Sequence, residues 1–594
     1  MITNSFIRLT KQMNRYLLAI FIIFIALTSC NKDDNLYDNN GLPSVEFDSE
    51  TGIYTVKQGR SITITPEYKN VNNAVFAWTI DGRLVSTSQS LTFSSDEIGD
   101  YFVTLRVDTE VGSVKDEIKI EVVDLLPPTI SFLLPPQGLK VKKGTDYTLA
   151  PEIQNDEDDN FEIEWIIDNK VVGREKTYVF NEDKIGEYTV TINASNDDGK
   201  TSYDLKIQVL ESDPFVVSFL KPYYLAEENV RYVYPDQSVF LRPHLEYFTN
   251  PTFKWSVNGK EIADASSQTY AFTPTSPGNY MVTVTVTEKS EHSDASVSTT
   301  VKVVCVTGSP ADRFRPLTAS SAKKSNKVYE FSPAPGQFIN TTMGSNGYTG
   351  NETTMELACA FAERNLSNGW YVSLGAWGGS LIVGFDHSIK NQKGNEYDFA
   401  TLGNAFGTSN EPGIVWVMQD TNGNGLPDDE WYELRASETG KATTIQDYEV
   451  TYFRPGPYAM DNFWIDCFGK EGSVKRNQYH GQEYYYPIWM PESYTVRGTL
   501  IPGTMSNEGH APYPWGYVDN VGSDCVWEPI PGVSGGQKNG FKISNAMYPD
   551  GTPIKLDYID FVKVQCAVQE YHVSFGEVST EVFSIEDRNS LENK

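Results

Sequence analysis

The sequence predicts an all-β protein with three tandem β-sandwiches and one larger β-sandwich domain. Aromatic residues make up 13% of the chain, and 45 Gly and 31 Pro interrupt it densely. Helical periodicities are scarce beyond the N-terminal apolar run, whereas short alternating runs bounded by turn residues are frequent. A chain of 594 residues is too long for one core, so several domains are expected.

Residues 1–29 have the features of a secretory signal. Basic residues precede an apolar run from Leu17 to Leu27. This run is too short for a membrane-spanning helix, which needs roughly 20 residues, and suits a signal peptide. Leu27-Thr-Ser-Cys30 then resembles the bacterial lipobox, in which the cysteine is lipidated and becomes the first mature residue. An ordinary cleaved signal with an incidental cysteine is the alternative.

The residues after Cys30 indicate where the lipid-anchored protein faces. Lys32-Asp-Asp34 is similar to the export tag of Bacteroidetes surface lipoproteins, within a polar tether that we assign to residues 30–42. The resemblance implies an outer-membrane protein that faces the extracellular side and contacts the membrane by its lipid anchor only. The formal charge of −31 argues against nucleic acid as a partner, because proteins bind nucleic acid through clustered Lys and Arg residues.

Three similar blocks follow, at residues 43–124, 126–211 and 214–306. In each, a Trp precedes a turn pair by three residues, and a Gly-x-Tyr segment begins a second strand about twenty residues later. The turn pairs favour the positive φ angles of tight hairpins, and each Trp would fill the space between two sheets. The residues concerned are Trp78, Asp81-Gly82 and Tyr101; Trp165, Asp168-Asn169 and Tyr188; and Trp255, Asn258-Gly259 and Tyr280.

This pattern resembles the PKD-like, immunoglobulin-type sandwich. The resemblance is specific for fold and implies little about function, because such modules mostly serve as spacers. Ligand binding by one of the three modules is the alternative.

From residue 307 the composition changes. Residues 307–330 are rich in Ser, Lys and Ala and are interpreted as a linker into a domain at 331–594. One helix is expected at Thr353–Arg364, capped by Thr353 or Thr354. The remainder predicts strands with long aromatic loops, as in a jelly-roll-like sandwich. The predicted strands are 379–385, 413–418, 432–436, 447–453 and 559–565, with 577–583 closing the sheet.

A loop between two of these strands has the composition of a calcium site. Oxygen-bearing side chains stand at positions one, three, five and nine of a loop that starts at Asp420, with Gly425 at position six. Position twelve is Trp431, where an EF-hand has a bidentate Glu. A plain Asn-Gly-rich hairpin turn is the alternative. The expected ligands of a structural Ca²⁺ are Asp420, Asn422, Asn424, the Leu426 carbonyl, Asp428 and Glu430.

Aromatic residues are dense in the loops of the same domain. Indole and phenol rings offer a broad apolar face and a polar edge, which suits stacking on a sugar or a macrocycle. Packing of the long loops as satellite cores is the alternative. The expected ligand-binding residues are Trp464, Tyr485, Trp489, Tyr513, Trp515 and Tyr517.

The sequence offers no recognisable catalytic or zinc motif. Asp386-His-Ser388 is contiguous and does not by itself assemble a triad. Apart from Cys30 the chain has five cysteines, which are widely spaced and include no Cys-x-x-Cys pair. A zinc site is therefore unlikely. Buried free thiols are expected, with one disulfide in the last 240 residues as the alternative. We therefore expect a non-catalytic protein.

The C-terminal domain as a whole resembles an uncharacterised group of Bacteroidetes cell-surface proteins. The likeness is carried by segments 384–387, 403–407, 411–416, 429–434 and 541–545 together with the Asp420 loop. The resemblance implies association with outer-membrane nutrient uptake. The expected function is capture of a ligand, cobalamin or a glycan, for a TonB-dependent transporter. Adhesion to host glycoprotein and an unrecognised glycan-active enzyme are the alternatives.

Overall fold

The computed structural model describes most of the chain from residue 41 onward. The described residues are 41–49, 51–132, 139–157, 160–212, 214–289, 295–341, 347–392, 394, 396–455, 461–477, 479–482, 484–506, 509–526, 538–572 and 575–589. The predicted signal, Cys30 and nearly all of the tether lie outside them. Among the described residues, no helix is both long and apolar enough to cross a lipid bilayer.

The described chain forms two compact units, residues up to 126 and residues from 127. The first unit is one β-sandwich module. Its strands are β1 (Ser44–Glu46), β2 (Ile53–Lys57), β3 (Ser61–Ile64), β4 (Glu67–Lys69), β5 (Val75–Ile80), β6 (Arg83–Ser86), β7 (Leu91–Ser94), β8 (Gly99–Asp108) and β9 (Ser113–Val123).

The second unit begins with two further modules. The strands of the second module are β10 (Thr129–Ser131), β11 (Leu139–Lys142), β12 (Tyr147–Leu149), β13 (Glu152–Gln154), β14 (Glu162–Ile167), β15 (Lys170–Gly173), β16 (Tyr178–Phe180), β17 (Gly186–Asn196) and β18 (Gly199–Leu210). Those of the third are β19 (Val216–Ser218), β20 (Val230–Val233), β21 (Val239–Leu241), β22 (His244–Glu246), β23 (Pro251–Val257), β24 (Lys260–Glu261), β25 (Tyr270–Phe272), β26 (Gly278–Glu288) and β27 (Ala295–Cys305).

All three modules share one topology. Each has a five-stranded sheet, ordered β2-β9-β8-β5-β6, β11-β18-β17-β14-β15 and β20-β27-β26-β23-β24. In each, the first strand of that order runs parallel to the last strand of the module, and the other pairs are antiparallel. Two short strand pairs complete the second layer of each module. The prediction of three tandem immunoglobulin-type sandwiches is confirmed.

The turn pairs and the buried tryptophans explain why these segments fold alike. The first residue of each turn pair has a positive φ, 49° at Asp81, 49° at Asp168 and 51° at Asn258. Such angles match the twist of a two-residue hairpin. The three tryptophans Trp78, Trp165 and Trp255 are buried, and each indole N–H donates to a backbone carbonyl 2.7–2.9 Å away. The two sheet layers of each module therefore pack around one buried, hydrogen-bonded tryptophan.

Each module also carries a tyrosine corner. The hydroxyls of Tyr101, Tyr188 and Tyr280 donate to the carbonyl four residues upstream, at 3.0, 3.0 and 2.8 Å. This hydrogen bond is a hallmark of immunoglobulin-type sandwiches, where it fixes the corner before a central strand. The Gly-x-Tyr segment therefore indicates the immunoglobulin-type fold and not a binding site.

The C-terminal domain also consists mainly of β-strands, with one α-helix among its described residues. Its elements are β28 (Lys327–Ser332), α1 (Met355–Ser367), β29 (Val372–Ser373), β30 (Ser380–Lys390), β31 (Phe399–Leu402), β32 (Gly413–Met418), β33 (Tyr432–Leu434), β34 (Ile445–Phe453), β35 (Asn462–Asp466), β36 (Glu471–Val474), β37 (Ser493–Leu500), β38 (Met505–Ser506), β39 (Gly509–His510), β40 (Cys525–Val526), β41 (Lys538–Phe541), β42 (Ala546–Met547), β43 (Tyr558–Cys566), β44 (Tyr571–His572), β45 (Gly576–Glu577), β46 (Glu581–Val582) and β47 (Ser584–Asp587).

Among its described residues, the three largest sheets organise this domain. The largest has six strands in the order β28-β30-β43-β32-β33-β42, and two four-stranded sheets are ordered β36-β35-β34-β37 and β40-β41-β31-β47. The all-β class is confirmed, and the predicted helix is the one α-helix of the described residues. It begins after the N-cap Thr354 and buries Met355, Ala358 and Ala362. The predicted strand 577–583 is wrong as one element, because β45 and β46 are separate and β47 follows them.

The segment predicted as a linker contacts the domain that follows it. The Arg315 guanidinium lies 2.9 Å from the buried Asp560 carboxylate, and the Pro310 carbonyl accepts a hydrogen bond of 2.7 Å from Tyr558. Residues 307–330 therefore form part of the surface of the C-terminal domain. The five cysteines of the described chain are free thiols, and three of them are buried.

Candidate functional site

A row of directly opposed residues crosses the six-stranded sheet. Glu330 faces Ile382, Ile382 faces Lys563, Lys563 faces Trp416, and Trp416 faces Glu433 across successive strands. Because side chains alternate along a strand, residues that are directly opposed share one face of the sheet. Their neighbours on the other face, among them Leu381, Val562 and Val415, belong to the hydrophobic core.

This polar row lines a cavity of about 690 Å³ between the sheet and the third module. The volume falls within the roughly 300–1,000 Å³ of typical small-molecule sites. The third module supplies the opposite wall with Leu220–Tyr224, Arg231 and Phe240. Sites between domains are common positions for ligand pockets.

Specific contacts hold the third module over the sheet. The Tyr224 N–H donates to the Glu330 carboxylate at 2.6 Å, and the Trp431 indole N–H donates to the Pro222 carbonyl at 3.1 Å. A small apolar cluster also joins the two walls, with Tyr223 and Ala226 buried against Ile382. Both walls of the cavity are thus fixed by hydrogen bonds and packing.

His244 and Glu449 form a second link between the two domains, 2.7 Å apart. Burial alone would lower the pKa of His244, but the hydrogen bonds that its ring donates to the carboxylates of Glu246 and Glu449 outweigh it and raise that pKa to about 9. Burial would raise the pKa of Glu449, but the charges of Arg497 and His244 lower it to about 2. This buried pair is therefore ionised over most of the accessible pH range.

Lys563 is the central residue of the row. Its ammonium lies 4.7 Å from the ring centroid of Trp416 and 5.2 Å from that of Trp431. Burial lowers the pKa of Lys563 to about 8, against the opposing effect of the Glu330 and Glu433 carboxylates. Indole faces stabilise a cation at this distance, so the charge is held between two rings.

The carboxyls of the row are buried and hard to ionise. Burial raises the pKa of Glu433 to about 7, although the Thr499 hydroxyl donates to it at 2.6 Å. Burial also raises the pKa of Glu330. Near neutral pH the Glu433 carboxyl can both donate and accept hydrogen bonds, because part of its population carries a proton.

Several polar atoms of the cavity-lining residues are buried without a hydrogen-bond partner in the described part of the chain. Among them, on the sheet face, are the Trp416 indole Nε1 and the Gln565 amide Oε1. Gln565 uses its Nε2 to donate to the carbonyls of Gly378 and Arg497, both at 3.1 Å. That arrangement leaves Oε1 as an acceptor. Buried polar groups without a partner are costly, so these two mark where an occupant would bind.

The Asp420 loop is held together by side-chain turns. Asp420 Oδ1 accepts from the backbone N–H of Gly423 and Asn424 at 2.8 and 3.1 Å, and Oδ2 accepts from Gly425 at 2.9 Å. The amides of Asn422 and Asn424 both donate to Asp428, each at 2.9 Å. Four of the six predicted calcium ligands therefore converge in one loop, between paired strands as predicted.

Glu430, a fifth predicted calcium ligand, contacts the third module. The carboxylate of Glu430 is directed to Arg231 of the third module at 3.4 Å. The backbone N–H of Leu426 donates to Asn424 Oδ1 at 2.8 Å. Glu430 is thus a cavity residue in this structure, and the same loop that carries the predicted calcium ligands carries Glu430 and Trp431 to the cavity wall.

Five of the six aromatic residues expected to bind ligand are buried in the protein. Trp464 is 7% exposed, and the other four are less exposed still. Their polar edges are used internally: the Trp489 indole donates to the Phe331 carbonyl at 2.9 Å, and the Tyr513 hydroxyl to Pro502 at 2.6 Å. The structure gives these rings a packing role, because their faces are covered. The residues concerned are Trp464, Tyr485, Trp489, Tyr513 and Tyr517, whereas Trp515 is half-buried.

The aromatic residues that line the cavity include Trp416 and Trp431, which the sequence did not single out as ligand residues. One signal was present: Lys563 lies between Val562 and Val564 in the middle of the predicted strand 559–565, at a position expected to be buried. A charged residue in the middle of a buried strand needs a partner or a function.

Three carboxylates cluster elsewhere in the domain. One oxygen from each of Glu411, Asp519 and Glu581 lies within 4.8 Å of the others. Burial raises the pKa of Glu411 to about 7, and burial and mutual repulsion raise those of Asp519 and Glu581 well above their usual range. Asp519 also accepts from the backbone N–H of Asn404 and Ala405, both at 2.7 Å.

The contiguous Asp386-His387-Ser388 segment does not form a triad. His387 lies between two carboxylates, 2.7 Å from Asp386 and 3.1 Å from Asp587. The Ser388 hydroxyl donates instead to Asp560 at 2.6 Å. The histidine therefore does not activate the serine.

The fold defines a protein that contains tandem immunoglobulin-type modules. Residues 43–109 and 127–196 match the family model of the PKD-like domain. The third module, with the same topology, lies outside that match. No curated protein sequence matches the chain significantly.

Solved structures with similar modules include the I-band fragment I67–I69 from titin, at 15% identity, covering 44% of this chain and 98% of that chain with a TM-score of 0.20. Another is the three N-terminal domains of the outer capsid protein Hoc of bacteriophage RB49, at 16% identity, covering 44% and 99% with a TM-score of 0.22. At these scores neither similarity supports an inference about the chain as a whole.

Proposed function

We propose that this chain is a non-catalytic cell-surface lipoprotein that captures a small nutrient, cobalamin or a glycan, for a TonB-dependent outer-membrane transporter. One observation carries the binding role: the row Glu330–Lys563–Trp416–Glu433 lines a cavity of about 690 Å³ under the third module. The aromatic faces offer apolar contact, and the cation and the carboxyls are the few placed polar groups that could orient a ligand there.

The surface location is supported by the sequence at the N-terminus. The lipobox-like segment that ends at Cys30 would provide the anchor, and Lys32-Asp-Asp34 the export tag. The tandem sandwich modules that follow are of a kind that mostly serves as spacers. We therefore place the cavity on the extracellular side of the outer membrane.

We also propose that the Asp420 loop binds Ca²⁺ as a structural ion. Asp420, Asn422, Asn424 and Asp428 bring hard oxygen donors to one loop, which suits the flexible oxygen shell of calcium. Because Glu430 and Trp431 continue from this loop to the cavity wall, the ion would hold that wall in place. The role is one of positioning, without contact between ion and ligand.

Calorimetric titration of the mature chain tests ligand capture, with cyanocobalamin, neutral oligosaccharides and acidic oligosaccharides as probes. We expect one class to bind, and Trp416→Ala to weaken that binding at least tenfold. Trp370→Ala is the matched control, because Trp370 is 40% exposed and does not line the cavity. Binding that Trp416→Ala leaves unchanged, or no binding by any probe, would overturn the proposal.

A further inference from the structure

We infer that the cavity takes a neutral, polyhydroxylated ring compound, such as one or two hexose units of a neutral glycan. This inference rests on the proposed function and narrows its ligand class. It is carried by three properties of the cavity face: unpartnered polar atoms of both kinds, indole faces, and a charge balance that leaves no place for an anion.

The unpartnered atoms favour a ligand that both accepts and donates hydrogen bonds. Trp416 Nε1 is a donor and Gln565 Oε1 is an acceptor, and both are buried on the adjacent strands β32 and β43. A hydroxyl group has one proton and two lone pairs, so a compound with several hydroxyls satisfies both atoms whichever way it turns. The carboxyl oxygens of Glu330 and Glu433 add further hydrogen-bond acceptors along the row.

The indole rings supply the apolar part of the same surface. Trp416 and Trp431 stand close enough for Lys563 to contact both rings, at 4.7 and 5.2 Å from their centroids. An aromatic face packs well against the C–H surface of a saturated ring while the ring hydroxyls reach polar neighbours at its edge. A sugar combines both features in one small molecule.

The charges of the cavity argue against an anionic ligand. Arg231 is paired with Glu430, Arg497 with Glu449, and the Lys221 ammonium donates to the Ala226 carbonyl at 2.7 Å. Lys563 remains, and its charge is already opposed by Glu330 and Glu433. A ligand carboxylate would lie close to these acidic side chains, and repulsion between like charges would weaken its binding relative to that of a neutral ligand.

The size of the cavity argues against cobalamin as the enclosed ligand. About 690 Å³ suits a ligand of drug size or smaller. A corrinoid with its nucleotide loop is considerably larger, and most of its surface would remain outside. Short saccharides fit within the same space.

The test compares three probe classes on the mature chain by calorimetry: maltohexaose, cellohexaose and mannohexaose as neutral glycans, an oligogalacturonate as the acidic counterpart, and cyanocobalamin. We expect at least one neutral hexaose to bind, with oligogalacturonate at least tenfold weaker. Trp416→Phe keeps a ring but removes the N–H donor and should weaken binding severalfold. Trp416→Ala should weaken it at least tenfold, and Trp370→Ala should leave it unchanged.

The outcomes separate this inference from the proposal on which it rests. If cyanocobalamin or oligogalacturonate binds and Trp416→Ala abolishes that binding, capture at the cavity stands and the neutral-sugar inference is overturned. If no neutral hexaose binds at millimolar concentration, the inference is likewise overturned. If a hexaose binds but Trp416→Ala and Lys563→Met leave it unchanged, both the inference and the cavity proposal fail. Circular dichroism of each variant identifies any that do not fold.

Discussion

Trp416 and Lys563 lie directly opposite each other on adjacent antiparallel strands, with the ammonium 4.7 Å from the centre of the indole. This pair places a charge and an aromatic face at the middle of the cavity wall. Its position in the sheet has measurable consequences for stability as well as for binding.

Lys563→Met should change the pH dependence of stability. The pKa of Lys563 in the folded protein is about 8, below its ordinary value of 10.5. The unfolded state therefore binds more protons between these values, and the contribution of Lys563 to stability rises with pH. We expect the variant to melt higher than the parent at pH 7, by about 2–4 °C, and this advantage to shrink by pH 10. Scanning calorimetry at both pH values measures it; an advantage that does not depend on pH would contradict the assignment.

Loss of the His244–Glu449 pair should loosen the third module from the C-terminal domain. Since the pKa of His244 is raised to about 9, its contribution is complete below pH 6.5 and lost as pH rises through 9. Since the pKa of Glu449 is lowered to about 2, its contribution is complete above pH 4.5 and lost as pH falls through 2. His244→Gln should therefore lower the melting temperature by several degrees at pH 6.

At pH 10 the same substitution should have little effect. Glu449→Gln and the double variant complete a mutant cycle, in which the two effects should be strongly non-additive. Additive effects at pH 6 would show that the two residues act independently.

Calcium should stabilise the mature chain if the Asp420 loop binds it. An ion that binds only the folded state adds about 2.7 kcal/mol at 100 times its dissociation constant. Asp420→Ala combined with Asp428→Ala should abolish the calcium-dependent rise in melting temperature, and magnesium should do much less in the parent. Asp550→Ala, at an exposed turn of the same domain, serves as the control. Absence of calcium binding up to millimolar concentration would leave the loop a hairpin turn.

Cys30→Ala should leave the protein without its lipid. Stable anchoring needs more than one acyl chain, and a lipidated N-terminal cysteine provides this. We expect the variant to lose palmitate labelling and to leave the outer-membrane fraction. Replacement of Lys32-Asp-Asp34 by alanines should keep the label and reduce cleavage by protease added to intact cells. Retained labelling of Cys30→Ala would contradict the assignment.

Glu581→Gln should stabilise the protein at alkaline pH. Acidic groups with raised pKa values favour the folded state when protonated, so their contribution is lost as pH rises through the folded pKa, about 7 for Glu411. Removal of one charge from the cluster should raise the melting temperature at pH 8 and change little at pH 5. Glu110→Gln, at an exposed position, is the control. A lower melting temperature of the variant at pH 8 would contradict the prediction. It would show that repulsion among these three carboxylates does not destabilise the folded protein.

The sandwich modules could be predicted because their signals are local. The turn at Asp81-Gly82 and the corner at Tyr101 each depend on residues that are close in sequence, and the same spacing recurs in all three modules. The cavity could not be predicted in the same way. Glu330, Trp416 and Lys563 meet only through the register of four strands that are far apart in the chain.

The loop aromatics illustrate a second limit. An aromatic-rich loop that contains residues such as Tyr485 and Trp489 has the same sequence pattern whether its rings are packed in the protein or exposed for binding. The two cases differ in whether the polar edges of the rings find partners within the protein. The Tyr485 hydroxyl donates to the His480 carbonyl at 3.0 Å, within its own loop. Sequence pattern alone does not record whether such a ring is covered.

The wall contributed by Leu220–Tyr224 makes the cavity a property of the junction between two domains. The C-terminal domain on its own would expose the row Glu330–Lys563–Trp416–Glu433 to solvent as an open sheet face, and the buried Lys563 would regain its hydration. The smallest piece of this chain that contains the complete cavity therefore starts at the third module. During evolution, the module and the sheet beneath it must change together, as two halves of a single binding surface.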